Sequence, residues 1–143
     1  MTLVHASCVA IDGSGTLLRG PSGSGKSDLA LRLIDDGAVL VADDYVELSR
    51  EGDRVVARPP PQLAGLLEAR GIGILRLPYA DAPLALVVDL VPASEVERMP
   101  EPATAKLCDL DVPVIRLDPF AASACAKLRL AVRVAAGGII LAR

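Results

Sequence analysis

The sequence predicts an α/β fold in which a mixed β-sheet is flanked by helices. Continuous apolar runs at residues 38–42 and 84–90 are typical of strands buried on both faces. Residues 28–36 carry leucines at i, i+4 spacing, which indicates a helix with one apolar stripe. Phe120, Tyr45 and Tyr79 are the only aromatic side chains among 143 residues, so the core is built from Leu, Val, Ile and Ala. The length fits a single domain over residues 1–143.

The first third of the chain predicts a hairpin, a loop and a helix. Residues 3–11 are β-compatible, residues 12–15 form a turn, and residues 16–19 form a second short strand. Residues 20–27 contain too much glycine for regular structure. The helix at residues 28–36 then stops at Gly37, because glycine is the preferred residue after a helix end.

The middle of the chain predicts a second hairpin and a second helix. Strands at residues 45–48 and 54–57 flank the turn signal Glu51-Gly52-Asp53. The three prolines at 59–61 form a stiff connector. The leucine spacing at residues 62–69 favours a helix, and residues 74–77 are typical of a strand.

The last part of the chain predicts two more strands and a closing helix. The strand at residues 84–90 is followed by a loop or short helix at 92–102 and by a strand at 112–117. Residues 120–135 indicate a final helix that ends at Gly137-Gly138. In total about half a dozen strands interleave with three helices, which favours the α/β class.

Composition excludes several functional classes. Fifteen basic against eighteen acidic residues give a net charge of −3, so no nucleic-acid partner is expected. The longest apolar stretch near either end, residues 134–142, is too short to cross a bilayer, so no membrane partner is expected either. No basic residue precedes an apolar run at the N-terminus, which argues against a secretory signal and for a cytoplasmic protein. Cys8, Cys108 and Cys125 lack a C-x-x-C pattern and are interpreted as small buried hydrophobic residues in a reducing compartment.

The glycine-rich segment matches the pattern G-x-x-x-x-G-K-[ST] at every fixed position. Its glycines let successive N–H groups face one concavity, and the following helix adds its positive end, so the segment favours a phosphate. Lys26 supplies a mobile charge for β- and γ-phosphates, and the Ser27 hydroxyl is placed to ligate Mg²⁺. The predicted nucleotide-binding residues are Gly20, Pro21, Ser22, Gly23, Ser24, Gly25, Lys26 and Ser27.

Two adjacent carboxylates, Asp43 and Asp44, follow the apolar run at residues 38–42. An acidic residue at the end of a buried strand, after a phosphate loop, fits a Mg²⁺-holding role. Neighbouring side chains in extended backbone point to opposite faces, so one carboxylate is expected at the metal and the other on the substrate side. Repulsion between the two negative charges makes one carboxylate hold a proton more readily, which is the property that a general base needs. The spacing does not decide which aspartate takes which role.

Other polar residues can be interpreted either as ordinary surface residues or as parts of the functional site. His5, the one histidine, is either solvated or in contact with the phosphate or the Asp pair. Glu68 and Arg70 either form an exposed ion pair at a helix end, or place Glu68 on Mg²⁺ and Arg70 near the transferring phosphate. Arg116, at the end of an apolar strand, is equally a phosphate clamp or a surface arginine.

Together His5, the loop at 20–27, the Asp pair and residues 67–74 resemble the catalytic C-terminal domain of the bacterial HPr kinase/phosphorylase (HPr serine kinase) family, in a short form of α-proteobacterial type. The resemblance covers about residues 3–118. It implies a P-loop-containing fold similar to that of phosphoenolpyruvate carboxykinases. It also implies an enzyme that uses ATP and Mg²⁺ to phosphorylate a serine of HPr, the phosphocarrier of the phosphotransferase system, or of an HPr-like carrier.

The resemblance also implies reversal by inorganic phosphate in many members, assembly as a homo-oligomer that is usually a hexamer, and roles for individual residues. Ser27 and Glu68 would hold Mg²⁺. The catalytic residues would be His5, Lys26, Asp43, Asp44 and Arg70.

The sequence departs from the family pattern in three places. His5 lies almost at the start, so the family's N-terminal domain is expected to be absent, and the segment that ends at Arg143 is shortened. The Gly-Arg-Asn segment expected after Val112-Pro113-Val114 is missing, with Arg116 as a candidate replacement. Two alternatives therefore remain beside the carrier kinase: a nucleotide-binding regulatory module without turnover, and a P-loop kinase for a small molecule.

Overall fold

Residues 1–142, described by a computed structural model, form a curled mixed β-sheet with two α-helices packed against one face. This architecture confirms the predicted fold class. Arg143, the last residue of the predicted domain, lies outside the described residues. Helix α1 spans Lys26–Asp35 and α2 spans Ala124–Ala135. Strands β1 to β11 of the described residues are Thr2–His5, Ser7–Ile11, Ser14–Arg19, Val39–Ala42, Tyr45–Glu51, Arg54–Arg58, Leu66–Ala69, Gly73–Arg76, Ala82–Leu90, Ala103–Leu107 and Leu110–Leu117.

Strand β9 is the branch point of the main sheet. Its first two residues, Ala82 and Pro83, pair antiparallel with β6, and the rest of the strand runs parallel to β3 on one side and to β11 on the other. The sheet continues from β3 to β2 and β4, and from β6 to β5 and β1. The carboxyl ends of the parallel strands β3, β9 and β11 therefore meet at one edge, which is where open α/β sheets bind ligands.

Apolar clusters cover both faces of the central strands. One cluster covers the concave face of the curled sheet, and the other lies between the opposite face and the two helices. The neighbouring residues Leu17 and Leu18 of β3 are both fully buried, one in each cluster. Strand β3 is thus held rigidly from both sides, and the loop that follows it starts from a fixed point.

The helix predicted over residues 62–69 is wrong. A single 3-10 turn at Pro61–Leu63 is followed by β7, which pairs antiparallel with β8 in a separate two-stranded sheet. Gly65 has φ 76°, which interrupts helical backbone, and a Cβ there would lie 2.9 Å from the Leu77 carbonyl oxygen. Exposed Glu68 lies between two buried neighbours, so the period is that of a strand.

Strand β10 is absent from the sequence-based prediction. It pairs antiparallel with β11 through the two-residue turn Cys108-Asp109. Both turn residues have positive φ, 49° and 63°, as a type I′ hairpin turn requires. Because Asn-Gly and Asp-Gly are the usual sequences of such turns, Cys-Asp gives no clear hairpin signal.

The described residues contain two α-helices rather than the three predicted. Helix α1 ends at Asp35 with Gly37 close behind, as predicted, whereas α2 begins at Ala124 and leaves Phe120 in the preceding loop. The predicted loop or short helix at residues 92–102 contains one 3-10 turn, Ala93–Glu95. In the described part of the chain, no helix has the length and apolar character needed to cross a membrane.

The cysteines differ in their surroundings, which gives a first testable prediction. Cys8 is fully buried, and this burial raises the pKa of its thiol to about 12, whereas Cys108 and Cys125 are half-buried. Because the thiolate is the reactive form, we expect Cys8 in the native protein to react with a thiol reagent at pH 8 at least about 100-fold more slowly than the other two cysteines. Peptide mapping by mass spectrometry measures this. Equal labelling of all three would contradict the buried position of β2.

Candidate functional site

The glycine-rich segment forms a loop between β3 and α1, as predicted. Gly25 caps α1 with φ 97°, a left-handed conformation that favours glycine. Inside the loop the Ser24 amide donates to the Pro21 carbonyl at 3.0 Å, and the Leu29 amide donates to the Gly25 carbonyl at 2.9 Å. The first amides of α1 therefore follow directly on the loop, an arrangement that attracts an anion.

Lys26 is the first residue of α1, and its side chain folds back into the loop rather than into solvent. Its Nζ donates to the carbonyl oxygens of Gly20 at 2.6 Å and Pro21 at 3.0 Å, and the residue is only 8% exposed. A buried ammonium requires such partners. Phosphate oxygens would replace these neutral acceptors by charged ones, which form stronger hydrogen bonds. The contacts place the Lys26 ammonium at the loop backbone, where its predicted role requires it.

Asp43 is a buried carboxylate held by two hydroxyl groups. Ser27 Oγ donates to Asp43 Oδ1 at 2.9 Å and to Oδ2 at 3.1 Å, and Ser7 Oγ donates to Oδ1 at 2.6 Å. Asp43 is 7% exposed and Ser7 is fully buried. Carboxylate and hydroxyl oxygens are the hard ligands that Mg²⁺ prefers, so the Asp43–Ser27 pair fits this metal. Ser7 was missed because it belongs to no motif.

Asp44 faces the opposite way and lies in solvent. Its Oδ1 is 3.1 Å from His5 Nε2, with the two side chains 63% and 40% exposed. The His5 ring also packs against Tyr45, with ring centroids 5.3 Å apart. The structure thus separates the two carboxylates as predicted, although the backbone at Asp44 is a turn and not the extended segment assumed, and His5 contacts Asp44 of the pair.

The backbone at Asp44 explains this separation. Asp44 has φ 70°, and the Tyr45 amide donates across it to the Asp43 carbonyl at 2.8 Å. A positive φ with a hydrogen bond from residue i+2 to residue i is a γ-turn of the rare, strained kind. The Ala6 amide fixes the turn by donating to the Asp44 carbonyl at 3.1 Å. Strain of this kind is concentrated at functional sites, which supports a role for Asp44.

Glu68 and Arg70 lie on the β7–β8 hairpin, not at a helix end. Both side chains are exposed, and Glu68 is in register with Ile74. Among residues 1–142, no three His, Cys, Asp or Glu side chains are close enough to hold a metal ion, so Glu68 does not join Asp43 and Asp44 in such a group. The proposed roles of Glu68 and Arg70 stay predictions.

An ion pair that the sequence analysis missed lies beside the phosphate loop. Arg19, the residue before the loop, donates from Nε and Nη2 to the two carboxylate oxygens of Asp89 at 2.8 and 3.1 Å. Arg116 on β11 is in register with Asp89 on the other side. In the described residues Arg116 is exposed and makes no ion pair, so its two interpretations both remain open.

Comparison with known families decides the class of protein. A family described as the HPr Serine kinase C-terminal domain matches residues 1–128. The chain belongs to this family. Since the match begins at residue 1, the phosphate loop, the Asp pair and His5 all lie within the matched range. The family resemblance and the fold class read from the sequence are confirmed.

Relatives named HPr kinase/phosphorylase share substantial identity with this chain. The protein of Bordetella pertussis is 44% identical over 111 residues, which cover 69% of this chain and 36% of the relative. That of Burkholderia lata is 44% identical over 108 residues, covering 68% and 34%. The chain thus spans about a third of the length of these relatives.

The fold of this chain is also found in a solved structure. The Hpr(Ser) kinase/phosphatase from Coxiella burnetii is 27% identical, with a TM-score of 0.82. The match covers 93% of this chain and 95% of that chain. The curled sheet, the loop and the two helices are therefore the architecture of a P-loop-type kinase domain.

Proposed function

We propose that this domain is an ATP-dependent protein serine kinase that phosphorylates a serine of HPr or of an HPr-like phosphocarrier. The observation that carries the proposal is that the two carboxylates of the Asp pair lie in different surroundings. Asp43 is buried against Ser27 of the phosphate loop, and Asp44 is exposed beside His5. Family membership supports this function, and the names of the relatives supply the carrier.

The loop of residues 20–27 would hold the triphosphate. Its amides and Lys26 bind phosphate oxygens, and Ser27 with Asp43 would hold Mg²⁺. When bound, Mg²⁺ neutralises charge on the β- and γ-phosphates. On grounds of the family resemblance, Glu68 and Arg70 are proposed as an additional metal ligand and a phosphate contact, and both side chains are exposed on the β7–β8 hairpin.

Asp44 would act as the general base. It takes the proton of the carrier's serine hydroxyl while the serine oxygen attacks the γ-phosphorus, and the bond to the bridging oxygen of ADP breaks. His5 holds the Asp44 carboxylate through the 3.1 Å contact, and Lys26 stabilises the developing charge. Because Asp44 is 63% exposed, a folded protein can present its serine there. This exposure favours a protein substrate over a small molecule.

Further properties are proposed on family grounds. In the reverse reaction, inorganic phosphate would attack the phosphoserine phosphorus, releasing the serine hydroxyl and pyrophosphate. We also propose that the protein is a cytoplasmic homo-oligomer, with a hexamer as the family's usual form. Its role would be regulation through a phosphotransfer chain related to the phosphotransferase system.

The decisive experiment incubates the purified protein with γ-³²P-labelled ATP, Mg²⁺ and the cognate carrier. We expect label on one carrier serine and none on a carrier whose serine is replaced by alanine. Label on a metabolite would indicate a small-molecule kinase. Nucleotide binding without transfer at high carrier concentration would indicate a regulatory module and would overturn the kinase proposal.

A further inference from the structure

Phe120 is the most exposed aromatic side chain of the described residues, and it lies against the phosphate loop. The residue is 71% exposed, compared with 41% for Tyr45 and 50% for Tyr79. A Cβ placed on Gly25 would lie 3.2 Å from Phe120 Cζ, so the ring edge contacts the last residue before α1. A single exposed apolar residue is ordinary. The position of this one, with its ring edge on the loop and most of its surface in solvent, is unusual.

The backbone that carries Phe120 is held in place by its neighbours. The Phe120 amide donates to Asp118 Oδ1 at 3.0 Å, which forms an Asx-type turn. Arg32 on α1 donates from Nη2 to the Pro119 carbonyl at 2.5 Å and pairs through Nε with Asp28 at 3.0 Å. The loop that carries Phe120 is thus tied to the helix that follows the phosphate loop, which keeps the residue beside Gly25.

Sheet topology places Phe120 opposite the carboxylates. The phosphate loop follows β3, which lies between β2 and β9. On one side β2 leads to β4, which is followed directly by Asp43 and Asp44. On the other side β9 leads to β11, which ends in the loop of Phe120. A nucleotide whose γ-phosphate points toward the carboxylates therefore extends its nucleoside toward Phe120.

We infer that Phe120 is the stacking platform for the nucleobase of the bound nucleotide. This inference rests on the proposed function and adds a subsite to it. An aromatic face stacks on any base, because every base has a π-face. Phe120 thus contributes affinity without reading the hydrogen-bonding edge of the base, and it acts equally on ATP and GTP.

The test compares a nucleotide with a ligand that lacks the base. We expect Phe120→Ala to weaken Mg-ATP binding about 5- to 150-fold, the range of one base–aromatic stack, and to leave the affinity for inorganic tripolyphosphate unchanged. Phe120→Leu keeps the apolar volume near Gly25 but not the aromatic face, so it should behave like Phe120→Ala. Ile140→Ala, at an 89% exposed apolar position, is the matched control.

A second variant reports the contact directly. The chain contains no tryptophan, so Phe120→Trp creates a single tryptophan at the site, whose emission can be excited apart from that of Tyr45 and Tyr79. Mg-ATP is expected to quench its emission by stacking, whereas tripolyphosphate leaves it unchanged.

Each other result has a definite meaning. Equal loss of ATP and tripolyphosphate affinity in Phe120→Ala would show that the ring only supports the loop, and would overturn the inference. Unchanged ATP affinity with a raised KM for the carrier would assign Phe120 to protein docking, and would overturn it too. A wild-type protein that binds neither ligand would overturn the proposed function itself, and the inference with it.

Discussion

Replacing Lys26 with alanine is expected to reduce phosphoryl transfer to the carrier by at least about 100-fold. The Lys26 ammonium is held by the carbonyl groups of Gly20 and Pro21 at the centre of the phosphate loop. Alanine removes the one side-chain charge that lies inside the loop, so the γ-phosphate loses its stabilisation during transfer. Single-turnover rates with labelled ATP and carrier measure the effect.

The same variant should remain folded. Loss of the two Lys26 hydrogen bonds is expected to lower the free energy of unfolding by at most about 3 kcal/mol, which thermal denaturation measures. Lys106→Ala is the matched control, because Lys106 is an exposed lysine on β10 that pairs with Asp111 at 3.3 Å. If Lys26→Ala transfers phosphate at the wild-type rate, the assigned role of Lys26 is wrong.

The two aspartates are expected to fail in different ways when changed to asparagine. Asp44→Asn should lower kcat by about 100- to 10,000-fold, the usual contribution of a general base, with the Kd for Mg-ATP unchanged. Asparagine tolerates the positive φ of Asp44, so the γ-turn is kept. Asp43→Asn should instead weaken the apparent Mg²⁺ affinity at least about 10-fold, because the buried charge facing Ser27 is lost.

Mg²⁺ titrations of the transfer rate and of nucleotide binding distinguish the two variants. Asp53→Asn serves as control, since Asp53 lies exposed in the turn between β5 and β6. Full activity of Asp44→Asn, together with a kcat defect in Asp43→Asn at saturating Mg²⁺, would reverse the two assignments.

The parts of the site that could be predicted from sequence are those encoded in contiguous residues. The loop at 20–27 and the strand that is followed by Asp43 and Asp44 each carry their signal within about ten positions. Long-range contacts carry no such signal. Ser7 meets Asp43 across 36 residues of chain, and Phe120 meets Gly25 across a still longer separation, so neither contact could be predicted before the strand order was known.

The secondary-structure errors have a related cause. Residues 62–69 satisfy the leucine spacing of a helix. The positive φ of Gly65 interrupts helical backbone, however, and pairing with β8 makes the following residues a strand. Strand β10 contains exposed residues and is formed only because β11 pairs with it. In both cases a partner strand outweighs local preference, which is common for β-structure.

The branching of the sheet at β9 has a consequence for biosynthesis. Strand β3, which leads into the phosphate loop, forms an early hairpin with β2, but its other neighbour is β9, with Arg19 paired to Asp89 some 70 positions later. Closing so distant a contact slows folding. A nascent chain therefore exposes the open edge of β3 until the ribosome has released β9. A chain truncated before β9 is expected to aggregate, because β3, the strand that leads into the phosphate loop, then lacks one of its two neighbouring strands.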